Sequence, residues 1–370
     1  MSHLAVFSSD NTGLSTWENI GSLQRETALY RKFVEHGWDV SFYTYDRNRK
    51  LPAIDFEANI YPQWPYVLPK KLGFAYRQVL PFKYLQKGRK ADIIITNQAH
   101  SASAASLAGK IWRAKVIARC GQVYGESAET LHKSGRRVRK KIIKEKNIFE
   151  NADKCIIPTK ELENWVFHNY NIQREKIAVI PNYVDTELFR PNPDLEKDFD
   201  IISIGRLVAK KRHELLLNVM SGTQRKIQII GNGRLQDKLT HLVRKNQITV
   251  EIKPRVEHKL LPANINRSKI YVNLAEWEGH PKALIEAMTC GCACIGAKSP
   301  GIENLIINGE TGILIEPEPK QIRDTVQTLL GDKALRERLG ENARNYAIEH
   351  FSLDKVFEQY KKVFEEVLTK

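Results

Sequence analysis

Lys269-Ile270-Tyr271-Val272-Asn273-Leu274-Ala275 leads through Glu278-Gly279-His280-Pro281 into Lys282-Ala283-Leu284-Ile285-Glu286-Ala287-Met288, and then into Ala293-Cys294-Ile295-Gly296-Ala297. The outer runs read as buried strands and the middle one as a helix, with a Gly-X-Pro turn between. Strands alternate with helical segments along the rest of the chain, which predicts an α/β protein with parallel sheets flanked by helices. Pro281 suits the first position of the helix, where its missing N–H costs nothing. Glu278 then stands in the loop, and Glu286 about one and a half turns inside. The free N–H groups within residues 280–283 point outward with the positive end of the helix dipole, a place for an anion such as phosphate. Carboxylates flanking it are suited to accepting hydrogen bonds from hydroxyls, and a nucleotide sugar carries hydroxyls on both sides of its pyrophosphate.

Other phosphate-directed features precede this stretch. Asp200-Ile201-Ile202-Ser203-Ile204-Gly205 reads as a buried strand, followed at once by Arg206 and five residues later by Lys211. Cations at the carboxyl end of a parallel strand face the crevice where α/β proteins bind ligands. Arg can fork two phosphate oxygens and Lys adds a point charge. Lys210 and Arg212 read as a solvated turn. Lys226-Ile227-Gln228-Ile229-Ile230 ends in Gly231-Asn232-Gly233, where small residues let a ligand approach the backbone or simply make a tight turn.

The ordered set Gly205-Arg206-Leu207 with Lys211, Gly231-X-Gly233, Glu278 and Glu286 with Ala287-Met288-X-Cys290-Gly291, Gly301-Ile302-Glu303 and Asn308-Gly309-X-Thr311-Gly312 resembles the family 4 glycosyltransferases. Ile180-Pro181-Asn182-Tyr183-Val184-Asp185 with Phe189-Arg190-Pro191 is similar to that family's interdomain signature, with Tyr183 where Gly is usual. The resemblance is dense from about 150 to 350 and thin before it. It implies the GT-B fold: two Rossmann-like domains with parallel sheets facing an interdomain cleft.

It also implies function: retaining transfer of a hexose-type sugar from a nucleotide-diphosphate sugar, a UDP-sugar favoured over a GDP-sugar, to a glycan or lipid-linked acceptor in cell-surface polysaccharide or glycoconjugate synthesis. Arg206, Lys211 and Glu278 would be catalytic. Gly13, Gly205, Gly231, Gly233, His280, Pro281, Lys282, Ala283, Leu284 and Glu286 would bind the donor, Glu278 holding sugar hydroxyls and Glu286 the ribose. The family usually contributes a first-domain histidine where this chain reads Arg119-Cys120-Gly121; His100 is the nearest substitute, and Arg119 has no firm role. An epimerase or hydrolase of related fold, or a catalytically silent binding protein, are the alternatives.

The 370 residues, 42% hydrophobic and 27% charged, suit a soluble protein of two domains. We expect a first domain over 1–188, a second over 189–349 with the boundary at the Pro-rich segment 189–193, and a terminal helix, 350–370, that the resemblance returns to the first domain. No apolar run approaches membrane-spanning length, and 1–7 reads as a strand rather than a signal peptide. The five cysteines read as reduced, buried residues of a cytoplasmic protein. Asp198-Phe199-Asp200 has a D-x-D shape but opens a strand, so no metal is expected. Net charge is +15, concentrated between 51 and 150, where 19 Lys and Arg face 7 Asp and Glu. The run from Lys133 to Lys146, within a candidate segment 131–146, reads as a basic amphipathic helix for an anionic membrane surface or acceptor, with Lys70–Arg77 as a second candidate. A solvated face competes with that reading, and no nucleic-acid motif accompanies the charge.

Overall fold

The structure, a computed structural model, describes residues 1–9, 12–46, 51–62, 73–99 and 103–369. It divides into two compact units: Met1–Pro181 with Val356–Lys370, and Asn182–Lys355.

The first unit is built on a seven-stranded sheet: β1 (His3–Phe7), β2 (Asp39–Tyr43), β3 (Asn59–Tyr61), β4 (Ile93–Thr96), β5 (Lys115–Arg119), β6 (Lys154–Ile157) and β7 (Ile177–Val179). Their order is β3-β2-β1-β4-β5-β6-β7, every neighbouring pair parallel. Leu4, Ala5, Val6 and Phe7, and Ile93, Ile94 and Ile95, are fully buried, as central strands covered on both faces require. A helix runs Leu23–Glu35, preceded by a short helix, Leu14–Asn19.

The helix Leu353–Leu368 closes this unit from the far end of the chain. Val356, Phe357, Tyr360, Val363, Phe364 and Val367 recur at three- and four-residue spacing and are all buried. The Phe33 ring lies 4.9 Å from Phe357 and 4.8 Å from Phe364. Glu366 pairs with Lys154 at 3.3 Å.

The second unit has six strands: β8 (Phe199–Ile204), β9 (Ile227–Ile230), β10 (Val250–Lys253), β11 (Ser268–Asn273), β12 (Ala293–Ala297) and β13 (Ile313–Ile315). The order is β10-β9-β8-β11-β12-β13, again all parallel. Ile202 and Tyr271 pack in the cluster holding Leu284, Ile285 and Met288, whereas Ile201 and Ile270 pack in the one holding Leu216, Ile229 and Leu329. Successive strand residues thus feed the two faces. The order reverses between β8 and β11, and at such a switch point an α/β sheet opens a crevice beyond its strands' carboxyl ends.

The change of unit falls at 181/182 rather than at the Pro-rich segment. Val184 N–H donates to Phe351 O at 2.8 Å, Leu353 N–H returns to Val184 O at 2.9 Å, and Val184 and Phe189 are buried in the second unit's core. Residues 182–188 are therefore part of that unit, and 189–193 is no linker.

Candidate functional site

Gly205, just past β8, donates its N–H to Ile230 O at 3.0 Å, and Leu207 N–H reaches Asn232 O at 3.0 Å. The two strand-end loops lie so close that a Cβ on Gly231 would stand 1.9 Å from Gly205 O, and one on Gly233 2.3 Å from Leu207 O. The glycines at 231 and 233 are required by backbone approaching backbone within the chain. That contact fixes the segment carrying Arg206, whose side chain is exposed.

A single helical turn, Ala209–Lys211, follows. Lys211 Nζ forms an ion pair with Glu278 Oε1, both side chains only 12% exposed. Lys210 and Arg212 are not a solvated turn, as their sequence suggested. Lys210 Nζ sits 4.5 Å from the Trp277 ring centre, Arg212 Nε bonds Glu276 Oε1 at 3.2 Å, and Glu276 N–H donates to Lys210 O at 2.9 Å. These contacts clip the β8 loop to the β11 loop and so carry Lys211 to Glu278. From the other side, Glu278 N–H donates to Pro300 O at 3.0 Å. Gly301 has φ +81, and a Cβ there would meet Glu278 O at 2.3 Å.

The helix begins at Lys282, one residue later than expected. Pro281, with ψ 103, is its cap, and its carbonyl accepts from Leu284 N–H at 3.1 Å and Ile285 N–H at 3.3 Å. The Leu284 amide is therefore engaged and its side chain fully buried. Ala283 carries one of the amides a helix leaves for an outside acceptor. Lys282 Nζ lies 5.8 Å from the Tyr183 ring centre. His280 contributes backbone, its O accepting from Asn182 Nδ2 at 2.9 Å; its buried ring meets Phe351 edge-on at 5.4 Å. Glu286 is 3% exposed and faces His258, whose Nε2 lies 2.8 Å from Glu286 Oε1. His258 is a residue the sequence did not single out.

In the first unit, the carboxylate of Asp46 fills the space beside Gly13 and accepts from Leu14 N–H at 2.8 Å and Ser15 N–H at 3.1 Å. Arg119 Nη1 donates to Asn97 O at 3.0 Å and Nε to Tyr360 OH at 3.3 Å, fastening the closing helix. His100 lies outside the described residues, as do 70–72 and the side chains of 73–77. Asp198 pairs with Arg267 and Asp200 with Lys269 at 2.9 Å, at the end of β8 remote from Gly205. The described residues contain no cluster of three His, Cys, Asp or Glu arranged for a metal. All five cysteines are free and buried.

Two buried histidines make this unit acid-sensitive. Burial, with Lys282 nearby, lowers His280 to about 3, and burial, with Lys211, lowers His213 to about 4. Both stay neutral in the folded protein while the unfolded chain takes up protons below its ordinary value of 6.5. Stability is thus lost as pH falls from 6.5 toward 4, at about 1.4 kcal/mol per pH unit for each histidine. Melting temperature should drop between pH 7 and 5, and His280→Gln should flatten the slope. A slope unchanged by that substitution would remove His280 from the account.

Two parallel sheets with the same strand reversal, the second bearing a Lys–Glu pair and an exposed Arg at its switch point, make a GT-B architecture. Residues 27–188 match glycosyltransferase family 4 and residues 184–346 match the glycosyl transferases group 1. The D-inositol 3-phosphate glycosyltransferase of Corynebacterium glutamicum is 23% identical over 290 residues, 69% of this chain and 68% of that one. A Campylobacter jejuni N-acetylgalactosaminyltransferase, named as acting on N-acetylgalactosamine-N,N'-diacetylbacillosaminyl-diphospho-undecaprenol, is 28% identical over 218 residues, 54% of this chain and 57% of that one. The match thus spans little more than half of that relative. Anabaena HepE, solved with UDP and glucose, superposes with a TM-score of 0.76 at 17% identity, covering 99% of this chain and 100% of that one. The chain belongs to the family 4 glycosyltransferases.

Proposed function

We propose that this chain transfers a hexose-type sugar, with retained anomeric configuration, from a nucleotide-diphosphate sugar to a glycan or lipid-linked acceptor in cell-surface polysaccharide or glycoconjugate synthesis. The observation that carries this reading is the Lys211–Glu278 pair beside exposed Arg206, at the carboxyl ends of adjacent strands β8 and β11. The bond between the anomeric carbon and the pyrophosphate breaks, an acceptor hydroxyl oxygen bonds that carbon on the same face, and the hydroxyl's proton passes to the departing diphosphate. Negative charge grows on the departing pyrophosphate, where Arg206, Lys211 and the start of the helix Lys282–Thr289 stabilise it in fixed positions. Glu278 accepts hydrogen bonds from sugar hydroxyls and Glu286 from the ribose. Side-chain cations supply the charge that a divalent ion would otherwise bring, so no metal is required. The UDP held by HepE supports a UDP-sugar over a GDP-sugar.

The test is a transfer assay with panels of UDP- and GDP-sugars and a lipid-diphosphate acceptor, in excess chelator. Turnover with a UDP-hexose in chelator is expected. Activity lost in chelator and restored by magnesium or manganese would overturn the metal-free reading; turnover with GDP-sugars alone would overturn the choice of base.

The acceptor reading extends to an anionic membrane surface. The helix Arg136–Asn151 is anchored inward by Ile148, Phe149 and Glu145, whose carboxylate accepts from Tyr124 N–H at 2.8 Å, Gly125 N–H at 3.0 Å and Tyr170 OH at 2.6 Å. Arg136, Arg137, Arg139, Lys140 and Lys141 are exposed, as is Ile143. No helix among the described residues is long and apolar enough to cross a membrane. Each basic residue near an anionic leaflet contributes about 1 kcal/mol, screened as salt rises. The protein should co-sediment with anionic vesicles and not neutral ones, and replacing those five residues by Gln should abolish this while leaving nucleotide affinity intact. Equal partitioning into both vesicle types would leave the helix a solvated face.

A further inference from the structure

Glu286 lies in the second turn of the helix Lys282–Thr289, 3% exposed. A carboxyl group so far from water must be hydrogen-bonded, and how it is bonded decides which way it points. Its Oε1 lies 2.8 Å from Nε2 of His258, itself 7% exposed along its side chain. In its Nε2–H tautomer that ring nitrogen donates to the Glu286 oxygen. The histidine is held in turn. It opens the single turn His258–Leu260, where Leu260 N–H closes on Glu257 O at 2.9 Å, and its ring packs against Phe189 with centres 4.9 Å apart. Phe189 is fully buried in the same core as Leu284, Ile285 and Ala287, the residues around Glu286. Ring, carboxylate and helix therefore form one packed piece within the second unit.

We propose that His258 is a positioning residue for the donor's ribose: by fixing Oε1 it sets the plane in which the Glu286 carboxylate meets the two ribose hydroxyls. The inference rests on the reading of Glu286 as the ribose ligand. Its consequence is specific. Loss of His258 harms recognition of the 2′- and 3′-hydroxyls and spares contacts made by the pyrophosphate, because Arg206 and Lys211 lie on a different loop. A merely structural histidine would weaken all ligands alike, through loss of fold.

The experiment compares the affinity of UDP with that of 2′,3′-dideoxy-UDP by calorimetry, for the full chain and three variants. The unmodified protein should favour UDP by about tenfold or more, the effect of a hydrogen bond to a charged group. Glu286→Gln should reduce that ratio. His258→Phe, which keeps a ring against Phe189 and removes the N–H, should also reduce it toward one while the dideoxy affinity stays within about threefold. His258→Gln, whose side-chain amide can donate at a similar reach, should restore much of the ratio. If Glu286→Gln lowers the ratio and His258→Phe does not, the positioning role is wrong. If Glu286→Gln itself leaves the ratio unchanged, the ribose reading fails instead. Should His258→Phe fail to fold, His258→Gln decides: a ratio as low as that of Glu286→Gln in a folded protein also overturns the proposal.

Discussion

Lys211→Ala should reduce sugar transfer further than Arg206→Ala, and both should lose at least tenfold in kcat/KM. Each removes a cation from the leaving pyrophosphate, and one charge-assisted contact is worth about 1.5–3 kcal/mol. The asymmetry comes from Glu278. Arg206 is exposed and can be deleted without stranding a partner. Lys211 is paired with Glu278, and both side chains are 12% exposed, so its removal leaves a largely buried carboxylate without its counter-ion. That unpaired charge sits where the donor's own phosphates must come. Lys211→Ala should therefore raise the donor KM as well as lower kcat, whereas Arg206→Ala should act mainly on kcat. Steady-state kinetics on both variants separate these effects. Near-normal turnover in both would displace the phosphate site from this loop.

The second large effect is expected at Gly231. Its substitution by Ala places a methyl group 1.9 Å from Gly205 O, a contact that no side-chain rotation relieves because the obstructing atom is backbone. The β8 and β9 loops must part, at a cost of about 3 kcal/mol. Arg206 follows Gly205 directly, so donor affinity should fall together with melting temperature. Gly37→Ala is the control: φ there is +80 with nothing within 4 Å of the added methyl, so only the backbone penalty of about 1 kcal/mol applies, with no effect on the donor. Equal losses at the two positions would show that backbone conformation, and not the contact between loops, makes Gly231 necessary.

Much of the fold was legible because the central strands are continuous apolar runs. β1, β4, β8, β9, β11 and β12 announce themselves in this way, and their alternation with helices implies parallel sheets. β3 and β10 do not. They are edge strands with exposed or half-buried residues, such as Asn59, Glu251 and Lys253, and their polar sequence resembles a loop. Pro191 and Pro193 look like linker residues, while the bond between Val184 and Phe351, which holds 182–188 in the second unit, joins positions too distant in sequence to foresee.

The candidate residues are marked in the sequence where the signal is local: Arg206 follows Gly205 directly past a strand, and Glu278 and Glu286 stand on either side of Pro281. What escaped depends on contacts between loops. His258 is 28 positions from Glu286, with no periodicity linking them. Lys210 and Arg212 looked solvated because nothing in their own segment reveals Trp277 and Glu276. Gly231 and Gly233 were recognised as significant, but the atoms that demand them belong to Gly205 and Leu207.

The route of the chain through the first unit bears on its synthesis. That unit consists of residues 1–181 and 356–370, so the ribosome must translate the whole of the second unit before the helix Leu353–Leu368 can dock. Until then Phe33 and Trp38 lack the apolar cover of Phe357 and Phe364, and Arg119 lacks the Tyr360 hydroxyl. The usual vectorial order, in which an N-terminal domain is complete before the next begins, is therefore reversed: the unit that starts first finishes last. A nascent chain stalled shortly before residue 356 would display that uncovered apolar surface to chaperones and proteases even with its second unit already folded.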